Sequence, residues 1–402
     1  MTCGTSKNAG KQVSMANSQS YEGVAVAVPV SLLLGRFSDV ETPILFARAL
    51  RELLTRSGIE KADIDGLAVS SFSLGPDPAI ALARSLGLSL RWMEDVSLGG
   101  ASGGVALNRA ARAVQAGDAS VVACIAADTN PKNGFHDLVA NFSRATRDGV
   151  YPYGATGPTG PFALLTQQYM QASGTTRADF GALCVEQRHH AALVPHAVHN
   201  KPLSLDDYLN ARMIAEPLGL YDCVMPVAGA EAFLVMSEEK AQVLDLPYAN
   251  VLSGIEAHNS FGDQSSPLRG GWELGREHLY QQAGVGPDDV DIIETYDDYP
   301  VVSVLQLEEL GFLPVGKGAR VLAENDLLLK KHNTSGGQLS CGQAGAAGGF
   351  LGLVEALRQL TGQAGDWQYT KAKYALVSGY GMIVYDRCLA TCATIMVAGG
   401  ST

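Results

Sequence analysis

A chain of 402 residues that is 47% hydrophobic and 17% charged can bury one large core or two fused ones. Its formal net charge of -12, with no cluster of Lys and Arg, speaks against a nucleic-acid binder, which needs a basic surface for phosphate contacts. Seven scattered cysteines (Cys3, Cys124, Cys184, Cys223, Cys341, Cys388 and Cys392) form no Cys-x-x-Cys pair, which excludes an obvious disulfide framework or internal zinc ribbon and suggests a reducing cytoplasm.

In chain order, residues 1–20 lack the apolar core of a signal peptide and read as a flexible tail, or as an over-long start before Met15. No later apolar run reaches the roughly 18 residues that span a bilayer. Residues 49–72, ALRELLTRSGIEKADIDGLAVSSF, give a helix, a Gly58 stop, an acidic turn and a strand. GASGGVALNRAARAVQAGDASVVACIAAD follows, with a glycine-rich helix start, an amphipathic helix and an apolar strand over 121–126. A long insertion, about 127–230, separates that strand from another over 232–236 and reads as a lid. Within it His189, His196 and His199 have the spacing of one helical face, but Pro195 interrupts the helix and no metal site is expected.

Both phrases then recur. Residues 278–299, HLYQQAGVGPDDVDIIETYDDY, repeat the first, with Asp289-x-Asp291 answering Asp63-x-Asp65 at a separation of 226 residues. GQAGAAGGFLGLVEALRQLTG and KYALVSGYG repeat the second. Two matched phrases in one order imply a duplicated α/β protein, with halves 21–247 and 248–402 and sheets covered on both faces.

The second helix start is preceded by NTSGGQLSCGQAGAAGG, residues 333–349, with six glycines in seventeen residues. Glycine lets backbone approach a ligand closely, and the N-terminus of the helix beyond favours developing negative charge. The run resembles the Asn-x-x-Gly-Gly…Gly-His-Pro-x-Gly-x-x-Gly loop of the thiolase superfamily, especially the branch related to the thiolase half of sterol carrier protein X. Tyr153-Gly154…Gly160-Pro161, Lys201-Pro202 and Ala215-x-Pro217-Leu218 match the same branch, so the resemblance covers nearly everything from about residue 22. It implies a five-layered sandwich of two halves, with the insertion forming a loop domain over the pantetheine arm of an acyl-CoA.

The resemblance also locates four reactive positions, and all four differ here. The nucleophile phrase Cys-x-Ser-Gly reads Gly100-Ala101-Ser102-Gly103, and His-Asp-Cys-Phe reads Tyr296-Asp297-Asp298-Tyr299. The Gly-His-Pro histidine is Gln343, and the last reactive cysteine is Ser378. Claisen chemistry through a cysteinyl intermediate is therefore not expected. Ser97 and Ser102 read as helix caps rather than nucleophiles.

What the site gains is a tyrosine and carboxylate motif facing Gln343. A phenol can pass a proton if neighbours lower its pKa, and a nearby carboxylate can orient or relay that proton. Helix starts at 100–103 (Gly100, Ser102) and 345–349, with Asn333 and Gly342, are expected to bind the thioester and stabilise its enolate. The chain is similar to the thiolase-like aldolases that shorten steroid side chains, in which Tyr-Asp replaces His-Asp. That resemblance implies retro-aldol cleavage of a beta-hydroxyacyl-CoA with a sterol-like or branched acyl group, with Tyr296 as acid/base and Asp297 fixing the loop. It implies no cofactor beyond the coenzyme A of the substrate, a homodimer paired through first-half edge strands, and a heterotetramer with a small zinc-ribbon/OB-fold partner. The resemblance implies a second catalytic tyrosine in the glycine loop near Cys341, so here either Tyr299, Tyr380 or Cys341 takes that role or the protein acts on another substrate. The alternatives are a non-catalytic acyl-CoA or lipid-binding subunit, and acyl transfer through Cys341.

Overall fold

The computed structural model describes residues 20–155, 157–262, 268–370, 372–385 and 387–400; the expected N-terminal tail, but for Ser20, lies outside them. One mixed sheet runs through the molecule. Its first-half strands are β1 (Val24–Gly35), β2 (Gly66–Ser70), β3 (Trp92–Asp95), β4 (Val121–Asp128) and, past a small hairpin of β5 (Met213–Ala215) and β6 (Leu218–Gly219), β7 (Ala228–Ser237). Its second-half strands are β8 (Tyr248–His258), β9 (Ile292–Glu294), β10 (Tyr374–Ile383) and β11 (Cys388–Ala398). The order is β3-β2-β4-β7-β1-β8-β11-β10-β9.

Read outward from the central β1-β8 pairing, the two sides have the same plan. β1-β7-β4-β2 on one side answers β8-β11-β10-β9 on the other, with β2-β4 and β9-β10 both parallel; the first side adds a further parallel strand, β3, beyond β2. The repeated aspartates do the same work in each half. Asp65 Oδ1 accepts from the N-H of Ser120 (2.7 Å) and Val121 (2.9 Å), and Asp291 Oδ2 accepts from Lys373 (2.8 Å) and Tyr374 (3.0 Å). Each therefore stitches the start of one parallel strand to the next. Asp63 and Asp289 accept from the N-H of Glu60 (2.9 Å) and Gly286 (2.7 Å), three residues back, and cap equivalent turns.

Helices Ser102–Ala116 and Gly348–Leu360 touch each other and strands of both halves, whereas Thr42–Ser57 packs on the first half and Glu273–Ala283 on the second. The central helices are thus covered by the first-half strands on one side and the second-half strands of the same continuous sheet on the other, with an outer helix beyond each, the five-layered order. Coverage on both faces explains why β4 and β10 read as apolar runs rather than alternating ones. The two central helices meet at their starts, where a Cβ on Gly103 would strike the Gly349 carbonyl and one on Gly349 would lie 2.5 Å from the Gly99 oxygen. Glycine at these two positions is what lets the helix N-termini converge.

Between β4 and β7 the chain forms helices Phe135–Asn141, Arg144–Gly149, Thr159–Ser173 and Arg177–Ala191. Phe162, Tyr169 and Phe180 of this segment share a core with Leu305 and Leu322 of the second half. The Tyr169 hydroxyl donates to Glu308 Oε1 at 2.5 Å, which also accepts from Gly318 N. The insertion is thus anchored across the chain duplication.

Candidate active site

A cavity of about 950 Å3 lies between the insertion and the core, at the point where the two central helix starts converge. Gly99, Gly100 and Gly345 bring backbone to its wall, beside Tyr296, Asp298, Tyr299, Gln343 and Tyr380.

Tyr296 follows the end of β9, and its backbone is clamped. Gln306 Oε1 accepts from Tyr296 N (3.1 Å) while Gln306 Nε2 donates to Tyr296 O (2.7 Å). Ser378, at the position of the last thiolase cysteine, donates to the same Gln306 Oε1 at 2.7 Å and so supports the clamp. The Tyr296 ring lies over Gly100: a Cβ there would meet its Cδ2 and Cε2 atoms and the Tyr380 carbonyl, well inside the 3.0 Å that real Cβ atoms keep.

Gln343 Nε2 donates to the Tyr296 hydroxyl oxygen (2.8 Å) and to Asp298 Oδ1 (2.5 Å), joining loop and strand end. Burial pushes Asp298 up to about 7, with Asp297 adding repulsion, while hydrogen bonds from Tyr296 and Gln343 oppose the rise. The Tyr296 phenol is itself raised well above its ordinary value by burial and by Asp298. A carboxylate poised near neutrality beside a phenol held protonated can exchange a proton through that phenol.

Asp297 points the other way. Its oxygens accept from Gln338 N (2.8 Å), Leu339 N (3.2 Å) and Gln187 Nε2 (2.8 Å), and burial raises it to about 6. It ties the glycine loop to the strand end and to the insertion. Tyr299 bonds Thr159 Oγ1 at 2.9 Å and stacks on Phe162 with centroids 4.4 Å apart. Tyr380 packs against Phe162 and Trp272. Burial raises both phenols well above their ordinary value, so they stay protonated at neutral pH.

Four other expected site residues lie outside the cavity lining, each for a physical reason. Cys341 is fully buried among Ala191, Val194 and Leu351, its thiol is raised by burial, and Sγ donates to Ser335 O at 3.3 Å. No acyl group reaches it in this arrangement. Asn333, with φ of 46° and no exposure, accepts from Thr295 N at 2.8 Å and fastens the loop to the end of β9. Ser102 accepts from Leu98 N (3.0 Å) and donates to Val96 O (3.2 Å), a local turn lock. Gly342, with φ of 94°, is pressed against Val227 and Met225. The expected thioester-binding roles of Ser102, Asn333 and Gly342 thus give way to shaping the loop.

Reading the sequence missed Asp128. At the end of β4 it accepts from Ser71 Oγ, Phe72 N, Ser73 N and Ser73 Oγ, and from Ala346 N at 2.8 Å, clamping the loop after β2 to the second helix start. Only its place at the end of an apolar strand, an unfavourable setting for a carboxylate, marked it. Of the histidines, His196 lies half-buried against Trp367 and is pushed down to about 4 by loss of hydration and by Arg358. Among the described residues no group of three or more His, Cys, Asp or Glu is placed to hold a metal. No helix among them is long and apolar enough to cross a membrane.

The layered fold and a site built from two glycine helix starts define a thiolase-like protein, and residues 255–393 match the thiolase C-terminal domain-like family model. The chain is 32% identical to a steroid side-chain-cleaving aldolase of Thermomonospora curvata, over 79% of this chain and 85% of the relative. It is 34% identical to the 17-hydroxy-3-oxo-4-pregnene-20-carboxyl-CoA lyase of Mycobacterium tuberculosis, over 79% and 86%. The solved structure of the Ltp2-ChsH2(DUF35) aldolase superposes with a TM-score of 0.79 at 28% identity, covering 94% of this chain and 98% of that one. The chain belongs to this family of thiolase-like side-chain-cleaving aldolases.

Proposed function

We propose that the protein is a carbon-carbon lyase that cleaves a beta-hydroxyacyl-CoA by retro-aldol chemistry, with a steroid side chain or similarly branched acyl group as substrate. The observation that carries this reading is the Tyr296 ring in the space of a nucleophile at position 100, with Gln343 donating both to its hydroxyl and to Asp298.

Ionised Asp298 draws the phenol proton as Tyr296 takes the proton of the substrate's beta-hydroxyl. The bond between the alpha and beta carbons breaks, the beta carbon leaves as a ketone or aldehyde, and the electron pair passes to the thioester as an enolate. Backbone at Gly99, Gly100 and Gly345, on the N-terminal ends of the two central helices, faces the developing oxyanion. Protonation of the alpha carbon by the same relay gives the shortened acyl-CoA. Protons and electrons balance without a cofactor, and no acyl-enzyme forms.

Phe37, Phe72, Phe142 and Phe162 supply an apolar wall for the acyl group, and the exposed Arg36, Lys132 and Arg212 on the same lining suit the coenzyme A phosphates. The similar aldolase structure is described with a DUF35 component, and a DUF35-type protein is the partner proposed here. β3, at the free edge of the sheet with Met93 exposed, is the strand proposed to pair with a second copy. Incubating the protein with a beta-hydroxyacyl-CoA and following ketone release tests the reading. Binding without turnover, with and without the partner, would instead assign a non-catalytic acyl-CoA-binding subunit.

A further inference from the structure

Arg188, on helix Arg177–Ala191, lines the cavity yet is only 6% exposed. Its Nε donates weakly to Ser340 Oγ at 3.4 Å, and its guanidinium lies 5.4 Å from the centre of the Tyr221 ring. Among the described residues it forms no ion pair, and no carboxylate is among the groups that shift it. A buried cation without a counter-ion is expensive to keep, and a neutral residue of similar length would pack there at lower cost. Its contacts, Ser340 and Tyr221, differ from those of the reacting pair, which Gln343 joins. His199, on the same lining, is depressed by burial and by both Arg188 and Arg36, so it stays neutral there and the positive charge near it is that of the two arginines.

We propose that Arg188 is a substrate-binding residue that holds an oxyanion, carboxylate or phosphate, carried by the ligand at a distance from the bond that breaks. The proposal rests on the acyl-CoA reading above and narrows it: the cavity takes a substrate with a negative group lodged inside it, in addition to whatever the exposed cations hold. Arg suits this task because its planar fork binds an oxyanion through two parallel N-H bonds.

The test is calorimetric binding to the full chain, wild type and Arg188→Met, of butyryl-CoA, succinyl-CoA and S-butyryl-pantetheine. If the anion is an acyl carboxylate, the wild type prefers succinyl-CoA to butyryl-CoA by about ten-fold or more, and Arg188→Met erases the preference. If it is a phosphate, Arg188→Met weakens both CoA esters by a similar factor and leaves S-butyryl-pantetheine unchanged. Equal binding of all three ligands by variant and wild type overturns the proposal. Should Arg188→Met fail to fold, Arg36→Gln/Lys132→Gln/Arg212→Gln must still gain thermal stability from inorganic phosphate or succinate over chloride at equal ionic strength; no gain overturns it equally. Binding rather than turnover is read, so absence of aldol cleavage would sink the catalytic reading while leaving the subsite standing.

Discussion

At Gly100 the space that a nucleophile's Cβ needs is taken by the Tyr296 ring and the Tyr380 carbonyl. Loss of one side chain and gain of the other are therefore a single steric exchange, and restoring a cysteine alone cannot restore a thiolase. Gly100→Ala is expected to destabilise the protein by about 1–3 kcal/mol, seen as a lower Tm, and to displace the Tyr296 ring. Adding Tyr296→Ala should recover part of that loss, a coupling that a double-mutant cycle reads directly. Because Asp298 must be ionised to accept a proton and is held near 7, kcat/KM should rise with pH through about 7. Asp298→Asn should lower kcat/KM about a hundred-fold or more and remove that limb; an unchanged pH profile would show that another group is the acceptor.

At the scale of elements, the repeated Asp-x-Asp phrases were legible because they are local: each aspartate satisfies backbone donors at a turn or a strand start, and the same geometry needs the same residue. Asp65→Ala and Asp291→Ala each leave two strand N-H groups without their acceptor and should cost about 1–3 kcal/mol apiece by chemical denaturation. A large effect in one half only would count against equivalent roles. The glycine loop was legible as a cradle, and Gln343 as the residue facing Tyr296. Which of its polar residues face the cavity was not, because that depends on side-chain direction around positive-φ turns at Asn333, Gly336, Gly337 and Gly342. Asn333, Ser102 and Cys341 have the right chemistry and point into packing instead. Gln306 and Arg188 were invisible, and Asp128 was marked only by its place in an apolar strand, for the complementary reason: they come from distant segments and meet the site only through tertiary packing.

For the whole molecule, a duplicated sandwich places two helix starts against one cavity and keeps several acids out of bulk water. Burial raises Asp297 to about 6, Asp298 to about 7 and Glu231 to about 8. A carboxyl raised in the folded state contributes stability that is present at low pH and lost as pH climbs through the raised value. His196, depressed to about 4, acts in the opposite sense, with its contribution lost as pH falls from its unfolded value near 6.5. Three carboxyls outweigh one histidine, so the Tm of the unliganded protein should fall as pH rises from about 5 to about 8. Glu231→Gln should flatten the alkaline decline, and a Tm that rises steadily to 8.5 would contradict this balance.

The most direct test is quantitative turnover of a beta-hydroxyacyl-CoA with a branched acyl group, in the presence of a DUF35-type partner, by wild type and Tyr296→Phe. The wild type should release ketone or aldehyde and shortened acyl-CoA in equal amounts, with no acyl adduct in the intact mass of the chain. Tyr296→Phe, which keeps the ring over Gly100 and loses only the hydroxyl, should bind the substrate and cleave it about a hundred-fold more slowly or worse. Cleavage at the wild-type rate by Tyr296→Phe, or a covalent acyl adduct on the wild type, would contradict it.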